Sequence, residues 1–241
     1  VLEVAGLAKR FGGFLAVNGL SFAVTPGEIL GLIGPNGSGK TTIFNLIAGT
    51  LPPSAGSIRF EGGQIAGLAA HEVCRRGIAR TFQIPRPFHK LSLRENAALS
   101  AYFAQGGRIS RIEAERRAVK ALDLVGLPAE ADAGPAGLGA AALKKLELAR
   151  ALATEPKLLL ADESLGGLDT SEMERAAELL EAIRTRLGIT IVWVEHIMGV
   201  LMRIVDRVIV LDHGEKIFEG EPAAAARDER VIEVYLGRGH H

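Results

Sequence analysis

The chain has 241 residues, enough for one large α/β domain or a core with a smaller lobe, and it can bury a sizeable apolar interior without staples. Its 28 Lys and Arg cancel its 28 Asp and Glu, which excludes the broad basic field that drives non-specific nucleic-acid binding, so no nucleic-acid partner is expected. Cys74 is the only cysteine, which excludes an internal disulfide and fits a reducing compartment, by default the cytoplasm.

No stretch approaches the roughly 20 apolar residues of a membrane span, and the opening "VLEVAGLAKR" lacks the pattern of a secretion signal. The closing "GRGHH" reads as an appended tag. In chain order, the first strong signal is "EILGLI" at 28–33, a short apolar run; "KTTIFNLIAG" at 40–49 follows with helical spacing and a terminal glycine. That is strand, loop, helix. Residues 92–154 give three helical segments, at 92–103, 110–126 and 139–154, with no strand among them, which predicts an inserted helical lobe. Further buried strands are expected at 157–162, 189–194 and 206–211, and a helix at 171–187 capped by Ser171 or Thr170. The alternation on either side of the lobe predicts an α/β fold with a mostly parallel sheet covered on both faces.

Residues 34–42, "GPNGSGKTT", satisfy the P-loop pattern after a predicted strand and at the start of a predicted helix. Asn36, Gly37, Ser38, Gly39, Lys40, Thr41 and Thr42 are the candidate phosphate cradle. The glycines let backbone N–H groups point inward, and the helix N-terminus favours the anion. Lys40 adds a point charge for the outer phosphates, and the Thr41 hydroxyl is placed for Mg²⁺. A glycine turn beside a surface lysine, the bland alternative, would not need that flanking strand and helix.

"LLLADE" at 158–163 puts an apolar strand under two carboxylates. Adjacent strand residues point to opposite sides, so Asp162 can hold Mg²⁺ through water while Glu163 polarises an attacking water. "VWVEH" at 192–196 ends in His196, able to donate to a γ-phosphate; alone, a histidine at a strand end carries no such meaning.

Taken in order, the P-loop, "TFQ" at 81–83, "ELARAL" at 147–152, "LLLADE", "GGLD" at 166–169 and "VEH" resemble the ATP-binding cassette (ABC) ATPases across nearly the whole chain. The resemblance implies a P-loop NTPase of ABC type: a mostly parallel core sheet, an antiparallel β subdomain and an inserted helical subdomain. Residues 1–83 and 155–241 would form the nucleotide-binding core, and 84–154 the helical, signature-bearing part. It implies ATP and Mg²⁺ as ligands, Gln83 as the Q-loop glutamine that touches Mg²⁺ and couples to a membrane partner, and Asp169 as the D-loop aspartate. Glu163, Gln83 and His196 become the catalytic set, with Thr41, Gln83 and Asp162 around the metal. Phe11 matches the aromatic that stacks on adenine, with Val17 beside it; by itself Phe11 also reads as an ordinary core aromatic.

In this family the helix beginning "KKLELARAL" follows a signature resembling LSGGQ, which binds the γ-phosphate held by an opposite subunit. Here Leu138, Gly139, Ala140, Ala141 and Ala142 occupy those positions, so the serine hydroxyl is missing. Gly139, Ala140 and Ala141 keep only the backbone N–H groups of a helix N-terminus for an anion. Three readings stay open: weak activation in trans, a partner ATPase that supplies an intact signature, or alanines standing in for other residues. Ser164, where proline is usual, is a second departure.

"ARTFQIPRPFHKLSLRENAAL" and the segment from "VEH" to "EGEP" look most like the ATPases of branched-chain amino acid importers; lipopolysaccharide exporter ATPases are the nearest alternative. The resemblance implies a second ABC ATPase subunit, in a homo- or heterodimer, transmembrane permease subunits and, indirectly, a solute-binding protein. It also implies peripheral attachment at the cytoplasmic face of the inner (plasma) membrane. Phe88 is expected either to dock a cytoplasmic helix of a membrane subunit or simply to pack the lobe.

Overall fold

The computed structural model describes residues 1–129, 133–162, 169–195 and 198–236. Two sheets share its core. β1 (Leu2–Phe11), β2 (Phe14–Val24), β4 (Ala55–Phe60) and β5 (Gly63–Gln64) form an antiparallel sheet in the order β2-β1-β4-β5. β3 (Ile29–Ile33), β6 (Ile78–Arg80), β7 (Leu158–Asp162), β8 (Thr190–Val194), β9 (Arg207–Asp212) and β10 (Glu215–Gly220) form the second, ordered β10-β9-β3-β8-β7-β6. All its neighbours run parallel except β10, which turns back antiparallel on β9.

The three expected central strands are each buried at every residue, as strands covered on both faces must be: "ILGLI", "LLLAD" and "TIVWV". Alternation divides their side chains between two cores. Leu30, Leu32, Leu158, Leu160, Val192 and Val194 face the antiparallel sheet and helix α1 (Lys40–Ile47). Ile29, Ile33, Leu159, Ile191 and Trp193 face the other way, toward α6 (Thr170–Leu187) and the helical lobe.

The lobe is built from α3 (Leu93–Ala104), α4 (Arg111–Val125) and α5 (Ala140–Leu152), which follow the expected spans. α2 (Ala70–Arg75) lies upstream; α7 (Met198–Leu201) lies in the crossover from β8 to β9, and α8 (Pro222–Ala225) and α9 (Glu229–Leu236) follow the edge strand β10. Ser92 and Ser110 cap α3 and α4, each accepting the N–H three residues on, and Gly126 ends α4 in the left-handed conformation. The cap of α6 corrects the sequence reading. Asp169, rather than Thr170 or Ser171, accepts the Glu172 N–H, and the Glu172 carboxylate reaches back to the Asp169 N–H in a capping box.

Candidate functional site

The candidate site lies where parallel strands end. β3, β7 and β8 deliver their carboxyl ends to one edge of the sheet, where open α/β folds present their ligand crevice. The loop after β3 is the P-loop, and close packing explains its composition. A Cβ on Gly34 would sit 2.4 Å from the Leu211 carbonyl oxygen and 2.6 Å from Ser38 Oγ; one on Gly39 would sit 2.7 Å from the Ala16 carbonyl oxygen. Both glycines also have positive φ, 154° and 105°, which side-chain-bearing residues rarely adopt. From behind, the β9–β10 turn braces the loop: the Gly214 N–H donates to Ser38 O, and the Asn18 N–H donates to Gly214 O.

Lys40 is buried at the first position of α1, and its Nζ donates to the carbonyls of Gly34 at 2.7 Å and Pro35 at 3.0 Å. The first turn of α1 carries no acidic side chain, so its unpaired N–H groups face the loop with nothing to repel an anion. Asn36, Gly37 and Thr41 are exposed, and Thr42 is half-buried. Ser38 Oγ is buried against Gly34 with no hydrogen-bond partner, a polar atom left for a ligand or water to satisfy. This loop therefore fits a nucleotide polyphosphate. Val17 is fully buried behind it and offers no open face to a base, whereas Phe11 is 45% exposed at the hairpin end of β1, with Lys9 Nζ 5.1 Å from its ring centre.

Asp162 ends β7, buried beside the loop, and its backbone N–H donates to Thr81 Oγ1 at the start of the "TFQ" segment. Its carboxylate is bound by Arg80, the last residue of β6, at 2.7 Å. Because β6 pairs with β7, Gln83 leaves the sheet from the strand next to the one that carries Asp162, so sequence-distant residues meet at one edge. Oxygen donors of this kind, the Thr41 hydroxyl, the Gln83 amide and the Asp162 carboxylate, suit a hard cation such as Mg²⁺. Asp169 is exposed, and its carboxyl is held below the ordinary value by hydrogen bonds from the Glu172 N–H and then the Ser171 hydroxyl. Glu163, Ser164 and His196 lie outside the described residues, as do the first three residues of "GGLD".

Comparison with known proteins decides the family. The model described as ABC transporter matches residues 17–166, more than half of the chain. The chain is an ABC transporter ATPase. A second model, described as branched-chain amino acid ATP-binding cassette transporter, matches residues 215–241 and takes in the terminal "GRGHH", which corrects its reading as an appended tag. The chain is 35% identical over 98% of both chains to the high-affinity branched-chain amino acid transport ATP-binding protein BraF of Pseudomonas aeruginosa. Among solved structures, the ADP conformation of the ATP-binding cassette MJ1267 matches with a TM-score of 0.87, 29% identity and 99% coverage of both chains. The ATP-binding cassette MJ0796, a dimer bound to ADP and Pi, matches with a TM-score of 0.81, 27% identity and coverage of 92% of this chain and 99% of that one. As an ABC ATPase the chain hydrolyses ATP.

The positions where the sequence reading expects the signature lie at the start of α5. Gly139 is the N-cap of α5 and supplies no side-chain cap; Ala140 is exposed, and Ala141 and Ala142 are half-buried behind it. Alanine is what the full sequence carries at 140–142, so the reading in which it stands in for other residues is dropped. Beyond Gln83, the chain is pinned by residues the sequence reading did not single out. Asn96, buried on α3, accepts the Phe88 N–H and donates to the carbonyls of Phe88, Leu91 and Ser92. Arg150 on α5 donates to the Arg86 carbonyl and to Glu147, and its guanidinium lies 5.3 Å from the Phe88 ring. Burial pushes the Glu147 carboxyl above its ordinary value, although Arg150 opposes this. A groove of about 310 Å³ runs alongside, lined by Cys74, Arg80, Phe82, Phe103 and Arg150 among others; Phe103 is 63% exposed and Phe88 47%.

Proposed function

We propose that the chain is the ATP-binding subunit of an importer for branched-chain amino acids, working at the cytoplasmic face of the membrane beside a second ABC ATPase and permease subunits. A solute-binding protein would take part only indirectly. The observation that carries the reading is the convergence of the P-loop, Asp162 and the exit of Gln83 at one sheet edge. The cargo rests on the C-terminal family match and on the likeness to BraF. Among the described residues no helix is long and apolar enough to cross a membrane, which fits a subunit attached through partners.

In this reading Asn36–Thr42 wrap the phosphates of ATP and Lys40 leaves its loop carbonyls for the outer phosphate. Phe11 stacks on the base, and Val17 supports the loop from behind. Thr41, Gln83 and Asp162 would hold Mg²⁺, which when bound offsets charge between phosphate oxygens. Glu163 takes the proton of the attacking water, and His196 donates to the γ-phosphate. Asp169 and the signature positions Gly139, Ala140 and Ala141 face the nucleotide of the opposite subunit. The core comprises 1–83 and 155–241, with 84–154 as the helical part. Since Ala140–Ala142 replace the signature, we take the working dimer to be heteromeric, the partner ATPase contributing an intact signature to this chain's nucleotide.

Replacing Lys40 with alanine tests the reading as a whole. Loss of a charged hydrogen-bond donor costs about 1.5–3 kcal/mol, so nucleotide affinity is expected to fall about 10- to 100-fold. Uptake of labelled leucine by cells carrying Lys40→Ala in place of the natural residue should drop toward background. Full leucine uptake with nucleotide binding lost would overturn the cargo. Phe88 offers a separate check on the membrane partner. Its half-exposed ring beside the groove is placed to meet a permease helix, and truncating such an aromatic anchor costs at least about 1 kcal/mol. Phe88→Ala should therefore raise at least about fivefold the permease concentration needed to stimulate ATPase, with basal ATPase unchanged. Equal loss of basal and stimulated rates would mean that Phe88 only packs the lobe.

A further inference from the structure

Arg80 has no part in the motifs that identify the family site, yet it touches that site directly. It ends β6 three residues before Gln83, and only 8% of its side chain is exposed. Its two terminal nitrogens serve two different elements. Nη2 donates to Asp162 Oδ2 at 2.7 Å, at the end of β7, and Nη1 donates to Asn45 Oδ1 at 2.5 Å, on α1 behind the P-loop. Aromatic rings flank the cation: its central carbon is 5.8 Å from the centre of Phe44 and 5.2 Å from that of Phe82.

Stability does not account for this arrangement. A buried ion pair at best roughly balances the desolvation of its two charges, and apolar residues of similar volume often do as well or better. Position does account for it. A planar guanidinium with two nitrogens committed to two elements fixes the carboxylate's orientation in a way that a point charge would not. Binding Oδ2 fixes the rotation of the Asp162 carboxylate and leaves Oδ1 without a hydrogen-bond partner among the described residues. Partners of this kind behind a metal-holding carboxylate set its orientation and charge.

We infer that Arg80 is a positioning residue for Asp162, tying the carboxylate to α1 through Asn45 so that its second oxygen is held ready for the divalent cation that accompanies the nucleotide. The inference rests on the reading of Asp162 as a metal-holding carboxylate. It is tested by titrating Mn²⁺ into the ADP-saturated protein and following free Mn²⁺ by electron paramagnetic resonance, with ADP affinity measured separately in EDTA. Arg80→Ala should weaken Mn²⁺ binding about 10- to 100-fold, the usual cost of losing such a partner, and leave metal-free ADP affinity within about twofold. Arg80→Lys keeps the buried charge, and with it the fold should Arg80→Ala fail to fold, but cannot bridge Asn45 and Asp162 together; it should weaken Mn²⁺ binding about tenfold. Mn²⁺ affinity in Arg80→Lys equal to that of the natural chain overturns the inference. Parallel losses of Mn²⁺ and metal-free ADP affinity overturn it as well, because they mark general disruption. A natural chain that binds ADP but takes up no Mn²⁺ removes the reading of Asp162 itself, and the inference with it.

Discussion

A Glu163→Gln variant is expected to bind ATP as the natural chain does and to turn it over about 10²- to 10⁴-fold more slowly, the range associated with loss of a general base. β7 is buried at all five residues, so it places its last residue, Asp162, with little freedom. Asp162 is already committed to Arg80 through one oxygen. In the proposed reading Asp162 serves the cation and the next carboxylate, Glu163, serves the attacking water. An amide of the same size keeps the packing and the hydrogen-bonding reach but cannot accept the proton. Steady-state phosphate release and equilibrium binding of ATP, measured on the same preparation, separate the two effects. Unchanged hydrolysis would remove Glu163 from the role.

Rebuilding the signature should act in the opposite direction. The fourfold change Gly139→Ser, Ala140→Gly, Ala141→Gly, Ala142→Gln restores a hydroxyl at the N-cap of α5 and removes the methyl groups that narrow the approach to its N–H groups. Donors aimed at charge that develops in a transition state are worth about 10²–10³ in rate each. The rebuilt chain, assayed alone at concentrations that allow self-association, should therefore hydrolyse ATP about 10²-fold or more faster than the natural chain. Equal rates would mean either that the serine and glycines play no part here or that the natural alanines already suffice, and the heteromeric reading would lose its ground.

Much of the core was legible because its signals are local. "EILGLI", "KLLLAD" and the run at 189–194 are short and mostly apolar, as strands buried on both faces are, and Gly34 and Gly39 stand where a Cβ would meet backbone. The lobe's helices were legible as helical segments, and in the structure Ser92, Ser110 and Gly126 bound the first two of them. The antiparallel sheet left no comparable trace: β1 and β2 pair with register shifts and mix buried with exposed positions, so their alternation is broken, and only the family resemblance implied them. α6 was placed one to two residues late at its cap because Asp169, Thr170 and Ser171 are all competent capping residues, and only the geometry of the Glu172 carboxylate chooses among them. Arg80, Asn96 and Arg150 were missed for a different reason. Their partners, Asp162, the Phe88–Ser92 backbone and the Arg86 carbonyl, are set by folding, and a single Arg or Asn in sequence carries no sign of what it will reach.

The central claim is that this chain holds a complete ATP site but brings no working signature to a dimer of its own. The molar mass in solution of Glu163→Gln with saturating ATP and Mg²⁺ tests it most directly. With hydrolysis blocked, ATP-bound subunits that complement one another stay closed. The account predicts that the variant with its natural signature remains at 25.5 kDa, whereas the same variant carrying the rebuilt signature reaches twice that mass. A stable ATP-dependent dimer formed by Glu163→Gln with Gly139 and Ala140–Ala142 unaltered would contradict it.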